Sequence, residues 1–183
     1  MFIDVILVLA LLIVAVIIFV ATRPDDFRIS RSATIAAPPA AVFAEVNDFH
    51  KWNAWSPWAK MDPACKNTFD GADAGAGAIF AWAGNSKVGE GRMTILESRA
   101  AELIRIRLEF FKPFKATNAA EFTFIPAADG TTVSWTMTGT NGFMGKLIGT
   151  LMNCDKMVGK QFAEGLAAIK TIVETPAVGA HRG

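Results

Sequence analysis

Residues 2–21 read FIDVILVLALLIVAVIIFVA, a run in which Asp4 is the one polar side chain. At about 1.5 Å of rise per residue, a helix of that length crosses the roughly 30 Å hydrocarbon layer of a bilayer. A cleaved signal peptide would need a basic start, an apolar stretch of about 7–15 residues and a small-x-small site. Here no Lys or Arg precedes the run, the run is too long, and Phe19 stands two residues before Ala21 where a small residue is required. Residues 1–22 are therefore expected to be a retained transmembrane anchor. Arg23, Arg28 and Arg31 all follow the span, so the excess of positive charge on that side predicts a cytoplasmic location for what comes after.

TRPD and a second Asp, residues 22–26, make a short polar connection, with 23–26 as the linker proper. The remainder is long enough for one domain with a sizeable core. Its charge is near balance, since the chain has 18 Lys and Arg against 17 Asp and Glu, one of which is Asp4. No basic stripe points to nucleic acid. Cys65 and Cys154 lack metal-ligand spacing and suit a reduced compartment better than a disulfide framework. Gly71, Gly75 and Gly77 precede the strand-like AIFAW and not a helix, so they form no phosphate cradle. The residues call for no cofactor and no metal.

In FRISRSATIA, Phe27, Ile29, Ala33 and Ile35 alternate with polar residues as in a half-buried strand, and Arg31 breaks the apolar face. Pro38 and Pro39 suit a first helical turn, and Val42, Phe43 and Val46 form the apolar side of a short helix. A Trp block follows, DFHKWNAWSPWAK, then a loop and a short strand around 66–70. The next segment resembles a hairpin about Gly84-Asn85-Ser86. Ile104, Ile106, Leu108 and Phe110 alternate with Arg105, Arg107 and Glu109; Phe122 and Phe124 share a face, as do Val133, Trp135 and Met137. These runs predict an antiparallel meander with one wet face. Leu147, Leu151, Val158, Phe162, Leu166, Ile169 and Val173 recur at threes and fours, predicting a long amphipathic helix over 143–174. Its glycines allow a break near Asn153, because each costs about 1 kcal/mol in a helix interior. Residues 175–183 read as a disordered tail.

A sheet with one apolar face and a single long helix bury both only by folding around each other. The fold expected is α+β: a helix-grip over 27–174, its curved antiparallel sheet wrapped around the C-terminal helix. The blocks RSATIAAPPAAVFAEVNDFHKWNAWSPW, GEGRMTI, LEFFKPF, GTTVSWTM and CDKMVGKQFAEGLAAIK resemble, in this order, the SRPBCC superfamily. That superfamily includes START lipid-transfer domains, birch-pollen-allergen-like proteins and polyketide cyclase/dehydrase-like proteins. The resemblance implies a cavity between sheet and helix that accepts lipids, sterols or polyketides; it implies no single chemistry.

The strand faces mix Phe80, Trp82, Phe110, Phe124, Trp135 and Met137 with alanines and glycines opposite a glycine-bearing helix. A mostly apolar pocket is one reading of that mixture, and a core in which large residues fill space left by small ones is the other. Leu151, Val158 and Phe162 are the helix residues expected to face it. Trp52, Trp55 and Trp58 cannot form one stripe, because Pro57 biases Ser56 to extended backbone. They plug one end of the sandwich, or Trp52 and Trp55 act as a lid over its mouth. Asp155 falls where the helix stripe requires an apolar residue. It either pairs with a cation, Arg31 being the candidate, or orients a ligand or acts as a general base. Glu90 is a second acid–base candidate, and His50 is expected at the surface or in a cap.

Three functions stay open on these grounds. The first is membrane-anchored binding of a hydrophobic small molecule or lipid, for transfer, sequestration or sensing. The second is a polyketide cyclase/dehydrase-like enzyme. The third is a non-catalytic interaction module with a filled core.

Overall fold

A computed structural model describes residues 2–175, and the side chains of Met144, Leu151 and Met152 lie outside the description. The tail read at 175–183 thus falls beyond the described residues, apart from Thr175. The apolar run is one helix, α1 (Phe2–Ala21), whose side chains are exposed except for Val20. It is long and apolar enough to cross a membrane.

Alternating sequence produces alternating burial. In β5 (Leu103–Lys112), Ile104 and Ile106 are buried while Arg105 and Arg107 are exposed, as a strand with a period of two requires. The other strands are β1 (Asp26–Ile35), β2 (Lys66–Gly71), β3 (Ala78–Ala83), β4 (Glu90–Arg99), β6 (Ala116–Ala127) and β7 (Gly130–Thr140). All pair antiparallel in one sheet of order β1-β7-β6-β5-β4-β3-β2. Between β1 and β2 lie α2 (Pro39–Val46), a 3-10 turn (Phe49–Lys51), α3 (Trp52–Trp55) and α4 (Pro57–Met61). After β7 come α5 (Phe143–Met152) and α6 (Cys154–Glu174). This is the α+β helix-grip.

The break allowed near Asn153 is present and one local expectation changes. The C-terminal segment is two helices, because Asn153 adopts a left-handed φ of 45° and its side chain accepts a hydrogen bond from Lys156 N. Asn tolerates that conformation and is a favoured N-cap, so one residue ends α5 and starts α6. The β3–β4 connection is wider than a tight turn at 84–86. It runs over residues 84–89 and closes with Gly84 N donating to Gly89 O at 2.9 Å. Gly89 has φ of +65°, and a Cβ there would strike the Lys112 carbonyl, so β4 begins only at Glu90.

Helix α6 lies against β1 and β7 and buries Phe162, Leu166 and Ile169. Its glycines serve close approach: the six-membered ring of Trp135 reaches Gly165, and the Arg31 guanidinium lies against Gly159. At the other end of the domain, Lys146 of α5 ties down α1. Its Nζ donates to Ala21 O at 3.2 Å and Arg23 O at 3.0 Å and pairs with Asp25 at 2.5 Å. A cation on the last carbonyls of a helix satisfies groups that lack intrahelical partners and faces the negative end of the helix dipole.

Candidate functional site

Directly opposed residues on antiparallel neighbours share a face, so the register lays out the concave side of the sheet in rows. One row, nearest α1, takes a residue from every strand: Phe27, Gly139, Asn118, Leu108, Met93, Phe80 and Phe69. Further in run Ile29, Met137, Ala120, Ile106 and Ile95, then Arg31, Trp135, Phe122 and Ile104. Beyond the first row, Phe110, Gly91 and Trp82 stand opposed on β5, β4 and β3. The Trp82 ring lies where a Gly91 side chain would be.

The inner rows are filled. Trp135 stacks on Phe162 of α6 with ring centres 4.1 Å apart and 8° between planes, and on Phe122 at 4.7 Å. Trp52, Trp55 and Trp58 meet it edge-on at 5.8–6.3 Å. Such offset and T-shaped contacts suit the ring quadrupoles. Trp52 and Trp55 have a further role: their indoles donate to Val46 O at 2.9 Å and Glu45 O at 3.1 Å. These carbonyls belong to the last turn of α2 and have no partner within that helix. Both tryptophans are buried, and Trp58 is half-buried against Trp135 and Phe162. Phe124 is buried edge-on to Phe43. Trp135 Nε1 is buried and has no hydrogen-bond partner among the described residues.

Toward α1 the same face is less covered, its side chains packed against the core on one side and partly exposed on the other. Phe27, Phe80, Trp82, Leu108, Phe110 and Val158 are half-buried, and Met93 and Met137 form the floor beside them. Phe80 stacks beside Trp82, and Trp82 meets Phe110 edge-on at 5.8 Å. Among these apolar groups the one amide is Asn118, half-buried, its Nδ2 4.0 Å from Met137 Sδ and its Oδ1 above Gly139. An amide offers two donors and one acceptor, so among the described residues most of its hydrogen-bonding capacity is unspent. An apolar face with a single orienting polar group has the composition of a small-molecule site.

The expected site residues therefore divide. Trp52, Trp55, Phe124, Trp135 and Phe162 belong to the packed block, and Phe80, Trp82, Phe110, Met137 and Val158 to the open face. The Leu151 side chain lies outside the described residues. Asp155 is on neither. Its carboxylate is 61% exposed and pairs with Arg31 at 3.1 Å, and its backbone carbonyl accepts a second bond from the same guanidinium. Glu90 is held by Lys112 at 2.7 Å. His50 is exposed, bonded to Asp48 and stacked on Phe69 at 4.2 Å. Burial, reinforced by the nearby Asp62 carboxylate, pushes the Cys65 thiol above its ordinary range, so it stays protonated at neutral pH and is a poor nucleophile. No group of three or more His, Cys, Asp or Glu able to hold a metal occurs among the described residues. Sequence reading missed Asn118, Phe27 and Leu108 as site members. The i, i+2 series Phe124, Phe122, Ala120, continued by one step, reaches Asn118.

Two cavities lie elsewhere. A groove of about 280 Å³ between α1 and α5 is lined wholly by apolar residues, Leu9 to Val20 on one side and Phe143 and Leu147 on the other. A hollow of about 500 Å³ on the convex side of the sheet is lined by Arg28, Arg105, Arg107 and Glu121 together with Leu96 and the backbone beside them. Arg105 there bonds both Glu97 and Glu121, and these carboxylates hold its guanidinium firmly protonated.

No curated protein matches the chain by sequence. Among solved structures the di-domain ARO/CYC StfQ of the steffimycin biosynthetic pathway is similar in fold, with TM-score 0.60 and 10% identity over 81% of this chain and 51% of that one. Ara h 8.0201 aligns with TM-score 0.57 and 15% identity over 81% of this chain and 97% of its own. The Aha1 dimer from Colwellia psychrerythraea aligns with TM-score 0.59 and 12% identity over 82% and 98%. At these identities the likeness is one of fold. The sequence profile described as polyketide cyclase / dehydrase and lipid transport matches residues 26–174, the whole of the sheet and its helices. The chain thus belongs to the polyketide cyclase/dehydrase and lipid transport family, as an SRPBCC helix-grip domain that follows an apolar N-terminal helix.

Proposed function

We propose that this protein binds a hydrophobic small molecule or lipid on the open face beside α1, while α1 holds the domain at the cytoplasmic surface of a bilayer. The observation that carries the reading is the contrast within one face of the sheet: inner rows filled by stacked aromatics, and an outer row of half-buried Phe27, Leu108, Phe80 and Trp82 around Asn118. Covering half-buried apolar surface contributes about 25 cal/mol per Å². A ligand there would gain most of its affinity from these side chains and its orientation from the Asn118 amide. Family membership supports the ligand class, since cyclases, dehydrases and lipid transporters all handle largely apolar molecules. With a linker of a few residues, the site stays within reach of the membrane, so a lipid-soluble ligand could exchange without crossing much water.

The test uses the full chain in detergent or nanodiscs. Native mass spectrometry should find a co-purifying apolar ligand, and an environment-sensitive apolar dye should bind and be displaced by lipids. Leu108→Ala with Phe80→Ala should weaken the dye about tenfold, the effect of about 1.4 kcal/mol of lost contact. Absence of any ligand, together with dye binding that these substitutions leave unchanged, would sink the reading. A reporter fused to the C-terminus and found outside the cell would overturn the cytoplasmic orientation.

A further inference from the structure

We propose that the β5–β6 hairpin tip is a second membrane contact, which docks into an anionic bilayer surface and fixes the tilt of the domain on its anchor. The strand pairing brings it to the right place. Asp26, the first residue of β1 after α1, pairs with Thr140; Gly139 pairs with Asn118; Phe110 pairs with Ala116. Residues 111–115 therefore project from the same edge of the sheet at which α1 leaves the domain. The segment reads Phe111-Lys112-Pro113-Phe114-Lys115, every residue exposed, with Phe111 at 45% and Phe114 at 60%. Phe143, 43% exposed at the start of α5, stands at the same edge, since Asn141 N donates to Asp25 O at 2.7 Å.

Exposed phenylalanines cost free energy in water that an interface recovers, and neighbouring lysines keep their heads among lipid phosphates while their stems lie along the acyl boundary. Lys112, whose Nζ pairs with Glu90 at 2.7 Å, and Lys115 flank Phe114, and the strand pairing of Glu90 with Lys112 brings the β3–β4 connection, with Lys87, to the same edge. The opposite edge carries less positive charge: its β4–β5 and β6–β7 turns, residues 100–102 and 128–129, hold Glu102 and Asp129, with Arg99 beside them paired to Glu97 and Glu102, whereas the near edge sets Arg23, Lys87, Lys112, Lys115 and Lys146 against Asp25, Asp26 and Glu90. Basic residues near an anionic leaflet are attracted to it, so the difference orients the domain. The apolar groove between α1 and α5 ends at this edge too, and its lining suits hydrocarbon contact.

The inference rests on α1 lying in the bilayer and is independent of any ligand on the open face. Full-length protein with Cys65→Ser and Cys154→Ser would be reconstituted in phosphatidylcholine vesicles with and without phosphatidylserine. Spin labels would be placed at Phe114→Cys, Lys115→Cys and, at the far edge, Asp129→Cys. The labels at 114 and 115 should be severalfold more accessible to oxygen than to an aqueous nickel chelate, with the reverse at 129. Phosphatidylserine should deepen the near labels, and Lys112→Gln with Lys87→Gln should abolish that deepening. Labels at 114 and 115 as water-accessible as the one at 129, or a depth indifferent to phosphatidylserine, would overturn the proposal. Release of the whole chain by alkaline carbonate would overturn it together with the anchoring. Retention with water-exposed near labels would overturn it alone.

Discussion

The two ends of one sheet face meet different surroundings. Around Trp135 the strands are covered by α3, α4 and α6, and five large aromatic rings close the space between them. Around Asn118 the same strands, with the same alternation, keep their apolar side chains half in water. The strand pattern is equally good at both ends. What differs is the helical cover, and cover separates a core from a candidate binding face.

The largest test of that contrast is Trp135→Ala, which removes the ring stacked between Phe122 and Phe162 and should cost about 3–5 kcal/mol. Denaturant unfolding of the full chain in detergent would measure it; a loss below about 1 kcal/mol, against that range, would mean the block is not the core. Trp52→Phe keeps most of the packing but strands the Val46 carbonyl. It should cost about 1–3 kcal/mol and leave dye binding on the open face unchanged, whereas a lid role for Trp52 requires binding to change. Leu108→Ala should behave in the opposite way. Its side chain is half-buried, so its stability cost should fall to about 1 kcal/mol, below the 2–5 kcal/mol of a buried Leu, while affinity drops severalfold. Asn118→Ala should alter which polar-headed ligands bind more than how tightly a plain hydrocarbon binds; equal selectivity in both proteins would remove the amide from the site. Asp155→Asn should do least, at or below about 1 kcal/mol, because the Arg31 pair is 33% and 61% exposed and screened by solvent. Loss of a catalytic turnover in that variant would revive the acid–base reading of Asp155.

Much of this was legible in the residues. The period-two runs of β1, β5 and β7 gave their inward faces, and the mismatch of Arg31 and Asp155 against apolar stripes pointed to each other across 124 positions, the separation at which they bond. The break at Asn153 was legible only in part, since the glycines suggested weakness there while the residue that acts is the asparagine. The division of the aromatic residues was not legible. Phe80 sits in the wholly apolar β3 and Trp135 in the alternating, Thr-rich β7, and nothing local to either tells how much helix lies above it. Nor could spacing alone reveal that Trp52 and Trp55 reach back to the carbonyls of α2, because that depends on how the chain turns at Asp48 and Ser56.

By itself the sequence determined the apolar helix, the strands and the amphipathic C-terminal segment, because each follows from periodicity and length acting within a few turns of chain. Only the tertiary structure decided which apolar side chains became core and which stayed at a half-open face, and which loops share an edge with α1. Burial and edge position depend on strand register and helix cover, and these join residues far apart in the chain.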